Sequence, residues 1–233
     1  MIFKLFIIIY IILVIYKTIE LYKYNENGYI MIIKGDGEYY NAQKSLNPLV
    51  YTYSNNLNYN MLIKEKPDFF ITHGDDIYSL KGFKDDSYFN VYKNKNIINS
   101  FSLKDKVLDL KIFKDYKYLF PKIYSLSLLK GNISIPLQRC IHNYNIIGNL
   151  EGESILYLFN PKHEGDIVNK PNDEIKKWGH KLVFLKNNVL FIPPGWFYIQ
   201  EINSETIQYH IDVDSAFTFI PNFVNDIKNN YKI

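Results

Sequence analysis

The sequence predicts a mainly β fold, a sandwich or barrel, preceded by one apolar helix, and three observations carry this. From Ile123 onward, short apolar runs recur between turn residues, the spacing expected of an all-β domain. Aromatic residues make up 17% of the chain, with Tyr 21 and Phe 16, and they favour pleated, half-buried surfaces. The stretch Ile2–Tyr16 is apolar except for Lys4.

Taken in order, the chain opens with that stretch. Its uninterrupted part, Leu5–Tyr16, covers roughly 18 Å as a helix, short of a hydrocarbon core of about 30 Å. Continuing the helix to Leu21 or Tyr22, with Lys4 and Lys17 reaching back to the interface, closes the gap. No small-residue cleavage site of the Ala-x-Ala type follows, so the reading taken is an uncleaved single-pass membrane anchor over residues 2–22. A cleaved signal peptide or a buried helix is the alternative. The predicted division is an anchor helix over 1–23, a polar tether over 24–44, a β domain over 45–222 and a tail over 223–233.

In the tether, Asn25–Gly28 and Gly35–Gly37 are turn signals around a short strand, Tyr29–Ile33. The β domain starts at Asn47-Pro48-Leu49-Val50-Tyr51-Thr52. Between Leu57 and Phe120, short apolar pieces alternate with turns: Phe69–Ile71, Tyr88–Tyr92 and Val107–Leu110, with Lys104–Phe113 at mixed spacing. Regular strands follow at Ile123–Leu129, Ile133–Ile141, Tyr144–Leu150 and Ser154–Phe159. The polar segment Pro161–Lys181 holds a helix over Asn172–Trp178 and reads as a lid or surface insertion. A last strand spans Glu205–Asp212.

The most informative stretch is Val183–Gln200, VFLKNNVLFIPPGWFYIQ. Two strands flank a corner, Pro193-Pro194-Gly195, that belongs at a sheet edge or rim, because two prolines remove two backbone donors. Beyond it, Trp196, Tyr198 and Gln200 share one strand face, and Phe197 and Ile199 share the other. This corner resembles the Ile-Pro-Pro-Gly-Trp-aromatic-His corner of the cupin-like JmjC family. The resemblance extends over roughly residues 45–220 and includes Asn145, Gly152 and the strand Leu156–Phe159 with its closing Asn160-Pro161. It implies a double-stranded β-helix, or jelly roll. It also implies an Fe(II) site of two histidines and one carboxylate, with 2-oxoglutarate as co-substrate.

The residues at the implied positions do not supply that chemistry. The distal histidine corresponds to Tyr198. The His-x-Asp pair corresponds to Arg139 and Ile141, or to Gln138 and Cys140 with a one-residue slip. The lysine of the family's Gly-x-Lys turn is Ser154. The expectation is therefore no metal and no cofactor, with the former pocket filled by Arg139, Tyr198 and nearby aromatics. Asn145, Ser154, Trp196, Tyr198, His210 and Asp212 are the pocket candidates.

His210-Ile211-Asp212 is a true His-x-Asp, so a relocated Fe(II) site serving a 2-oxoglutarate-dependent hydroxylase is the alternative. Against it, the alternation of Ile207, Tyr209, Ile211 and Val213 predicts that these pack inward and that His210 and Asp212 face solvent. A third reading has Trp196 and Tyr198 as a stacking surface for a sugar or other small polar ligand.

A net charge of +3 with scattered lysines and a single arginine, Arg139, gives no nucleic-acid footprint. His73–Asp76 and the group His163, Glu164, Asp166 and His180 lack ligand spacing. One cysteine, Cys140, leaves no internal disulfide. An apolar anchor, an A/T-biased composition and a degenerate domain of this kind together resemble proteins of large DNA viruses. The partners expected are a membrane and either a protein or a small polar ligand.

Overall fold

The computed structural model describes residues 2–21, 23, 25–33, 46–52, 58–66, 68–73, 76–83, 90–101 and 119–215. The readings at 104–113 and 107–110, most of the tether beyond Ile33, and the tail over 223–233 lie outside the described residues.

Helix α1, Ile2–Leu21, is continuous over 20 residues, as its mainly apolar sequence without glycine or proline favours. The large apolar side chains described along it are exposed, Phe3 at 76% and Tyr16 at 58% among them. Among the described residues, no helix is long and apolar enough to cross a membrane.

The remainder is mainly β. Strands β1 (Met31–Ile33), β2 (Leu49–Thr52), β5 (Val91–Asn94), β6 (Leu119–Leu129), β8 (Tyr144–Glu151), β11 (Asn188–Ile192) and β13 (Thr206–Ser215) form one sheet in the order β1-β2-β11-β8-β13-β6-β5. A second sheet takes β7 (Ile133–Arg139), β9 (Ser154–Phe159), β10 (His180–Phe184) and β12 (Phe197–Ile202) in the order β10-β9-β12-β7. A separate hairpin pairs β3 (Phe70–His73) with β4 (Asp76–Ser79).

Three apolar layers hold these sheets. Between them lie Val50, Ile147, Leu190 and Ile192 from the large sheet and Leu156, Leu158, Phe184 and Tyr198 from the small one, with Trp196 from the corner. The other face of the large sheet, bearing Ile146, Phe191, Ile207, Tyr209, Ile211 and Val213, is covered by the preceding part of the chain. Tyr59 and Leu62 of α2 (Tyr59–Glu65), Ile97 and Ile98 of α3 (Lys95–Ser100), and Phe83 and Phe101 do the covering.

This arrangement corrects the expectation for β13. Ile207, Tyr209, Ile211 and Val213 do pack into a core, but the opposite face of the strand is buried too, and His210 is only 1% exposed. The large sheet is sandwiched on both sides, so alternation along the strand separates two interiors rather than an interior from water.

The lid reading of Pro161–Lys181 is also corrected. Ile167 of α4 (Glu164–Ile167) and Ile175 of α5 (Asn172–Ile175) are fully buried against Phe159, Phe197 and Ile199 on the outer face of the small sheet. The segment is a structural layer that those apolar side chains require.

The start of the tether is likewise bound to the domain. Asn160 Nδ2 donates to Asn25 O at 2.7 Å and Lys162 Nζ donates to Glu26 O at 2.7 Å. A Cβ on Gly28 would meet Trp196 and Asn160 at 2.7 Å, so only glycine permits this close approach. Strand β1 then pairs with β2 in parallel.

Candidate functional site

The site is built at the Pro-Pro-Gly-Trp corner. Gly195 adopts φ +84°, and the turn is laced to the end of β7 by Gly195 N donating to Cys140 O at 2.7 Å and Cys140 N donating to Trp196 O at 2.8 Å. Register then decides which side chains face inward. Tyr198 lies opposite Gln138 and Phe197 opposite Arg139, and Tyr198 belongs to the layer between the sheets while Phe197 belongs to the outer one.

Arg139 therefore does not fill the pocket. Its guanidinium lies 5.2 Å over the Phe197 ring and pairs with both carboxylate oxygens of Glu164, at 2.8 and 3.3 Å. Cys140, not Ile141, joins the inter-sheet core; Ile141 is half-buried beyond the strand end. The inward-facing positions of β7 are thus those given by the one-residue slip, Gln138 and Cys140.

The opposite wall comes from β13, β6 and β5. Tyr92 OH and Tyr198 OH are 3.0 Å apart, and the Tyr92 ring meets His210 edge-on at 5.6 Å. Lys93 sits at φ +49°, a backbone conformation uncommon for a residue with a Cβ and one that often marks a functional position. Its N–H donates to Ser127 Oγ at 2.9 Å, and Ser127 Oγ is 2.9 Å from His210 Nε2. A hydroxyl that accepts from Lys93 and donates onward to Nε2 puts the imidazole proton on Nδ1, an atom with no hydrogen-bond partner among the described residues. Lys93 Nζ is 4.0 Å from Asp212 Oδ2.

Beside these groups is a partly open cavity of about 30 Å³ lined by Lys93, Gln138, Arg139, Cys140, Asn145, Ile146, Ile147, Tyr198, His210 and Asp212. That is room for about two water molecules.

Burial sets the ionisation of the cavity. It lowers the His210 pKa well below 6.5, with the Lys93 charge acting in the same direction. It raises the Tyr198 phenol, helped by Tyr92 and Cys140, and it raises the Cys140 thiol. Burial works against the Lys93 ammonium as well, but Asp212, followed by Tyr92 and Cys140, outweighs it and the pKa is raised. Near neutral pH the thiol and phenols stay protonated and the imidazole stays neutral, so the cavity offers hydrogen bonds and one internal ion pair but no thiolate nucleophile.

Of the predicted pocket residues, the structure brings together Tyr198, His210, Asp212 and Asn145. Asn145 Nδ2 donates to His142 O at 3.1 Å and Ile192 O at 3.4 Å. Ser154 is elsewhere, in a buried network where Gln200 Nε2 donates to Ser154 Oγ and Gln208 Oε1, both at 2.9 Å. Trp196 is fully buried and its Nε1 donates to Leu46 O at 3.2 Å. With Tyr198 only 3% exposed, the pair presents no stacking surface.

Sequence reasoning missed Tyr92, Lys93 and Ser127. The signal that could have found them is on β13, where Gln208, His210, Asp212 and Asp214 alternate with four apolar residues; so many polar side chains on one face need partners. Asp214 has one in His142 Nδ1 at 2.9 Å. Among the described residues, no group of three or more His, Cys, Asp and Glu is placed to hold a metal ion. No model of a known protein family matches the chain, and no curated protein matches it.

Proposed function

We propose that the chain is a membrane-anchored jelly-roll protein of the cupin-like JmjC kind, whose oxygenase site has been converted into packing and whose role is non-catalytic binding or structure. The strand order supports the jelly roll: β6, β8, β11 and β13 lie in the large sheet and β7, β9, β10 and β12 in the small one, the chain crossing between sheets at every step except β9 to β10, as it would in two interlocked Greek keys.

The observation that carries the loss of catalysis is the filling of the cavity. Where an oxygenase needs an open coordination face and space for a ten-heavy-atom dicarboxylate, this chain has the Tyr92–Tyr198 hydroxyl pair, the Lys93–Asp212 ion pair and about 30 Å³. A lysine ammonium beside Asp212 also opposes a divalent cation there, by like-charge repulsion.

One observation favours the alternative, a 2-oxoglutarate-dependent hydroxylase with relocated ligands: His210 and Asp212 line the same cavity as Tyr198, and Nδ1 of His210 has no partner among the described residues. Elemental analysis of the full chain in detergent separates the two. We expect iron well below one equivalent, unchanged by His210→Ala. One equivalent of iron, lost in that variant, would sink the proposal.

A further inference from the structure

We infer that the domain rests on the bilayer that holds α1, with Trp178 and Tyr29 seated in the head-group layer; this builds on the membrane-anchor reading. The argument starts from chain length. Asn25 and Glu26 are fastened to Asn160 and Lys162, and α1 ends at Leu21. Four residues span at most about 14 Å, and the head-group layer on each side of the hydrocarbon is roughly 5–7 Å deep. A domain tied at Asn25 is therefore held within roughly 9 Å of the head-group surface of a membrane that contains α1, within reach of side chains that project from that corner.

What lies at that corner suits the interface. His163, beside Lys162, faces Trp178 with ring centroids 5.1 Å apart, and Lys177 Nζ is 5.6 Å from the centre of the Trp178 ring. Trp178 is 40% exposed, and Tyr29, which follows Gly28, is 55% exposed. Tryptophan and tyrosine, apolar bodies with polar tips, concentrate at head-group depth.

The test uses the full chain in phosphatidylcholine vesicles with or without bromines near the top of the acyl chains. Of the two tryptophans, Trp196 is fully buried, so quenching reports Trp178. Brominated lipid is expected to remove up to about half of the emission, and Trp178→Phe to abolish that loss. No quenching in a chain that floats with the vesicles and resists alkaline extraction would overturn the docking and leave the anchor standing. Failure to float would remove the anchor and the docking together. A blue shift that depends on the protein-to-lipid ratio, without quenching, would assign the corner to a second copy and refute the lipid contact.

Discussion

The buried imidazole of His210 should make stability fall as the solution becomes mildly acidic. Folded, the group has a pKa well below 6.5, because burial and the neighbouring Lys93 ammonium both resist its protonation. Unfolded, it takes up a proton near 6.5. The unfolded chain therefore binds more protons below that pH, and stability that is fully present above 6.5 drains away as pH falls toward the folded value.

The slope is at most about 1.4 kcal/mol per pH unit, so moving from pH 7.5 to pH 5 costs up to roughly 2 kcal/mol through this residue. For a domain of this size that lowers Tm by up to roughly 8 °C. Ser127, Tyr92, Lys93, Tyr198, Cys140 and Asp212 surround the same space, and other groups on the chain titrate as well. The measurement is therefore a difference between the wild-type chain and His210→Gln, whose amide reaches the Nε2 position and keeps a hydrogen bond to Ser127 while carrying no titratable proton. Thermal melts from pH 7.5 to 5 should steepen for wild type relative to the variant. Parallel curves would show that His210 is not held neutral by the fold.

Two further substitutions probe the packing. Tyr198→Phe should cost about 1 kcal/mol by orphaning the Tyr92 hydroxyl 3.0 Å away, whereas Tyr92→Phe with Tyr198→Phe together should cost less than the sum of the two; strict additivity in urea unfolding would refute the pairing. Gly148→Ala would set a Cβ 1.9 Å from Cζ of Tyr209 and should cost about 3 kcal/mol, as overpacking does. Tyr209→Leu in the same chain should recover part of that loss, and an unchanged unfolding midpoint for Gly148→Ala alone would contradict the register of β8 on β13.

Much of the β architecture beyond Ile123 was legible because its punctuation is local. Gly131 and Gly152, read as turns, have φ +81° and +79°, and the break at Lys186-Asn187-Asn188 centres on Asn187 at φ +66°. The strand Ser154–Phe159 has the bounds its turn residues set. Faces were harder to read, because they depend on distant partners. Alternation within β13 points His210 to solvent, because nothing in that strand says that Tyr92, Lys93 and Ser127, far upstream, come to meet it. Arg139 was assigned inward for a similar reason: a one-residue shift of register moves every side chain to the other face, and only the pairing of Tyr198 with Gln138 fixes it.

One end of the large sheet constrains how the chain can mature. Strand β2 closes against β11 through Leu49 opposite Phe191, partners roughly 140 residues apart, and such remote pairings slow folding. On a ribosome, Leu49 and Val50 emerge long before the strand that will shelter them, and they follow an α1 already rich in sticky surface. Early capture by a chaperone or a membrane would shield those side chains, and shortening the wait between the two strands by circular permutation should raise the soluble yield of the β domain.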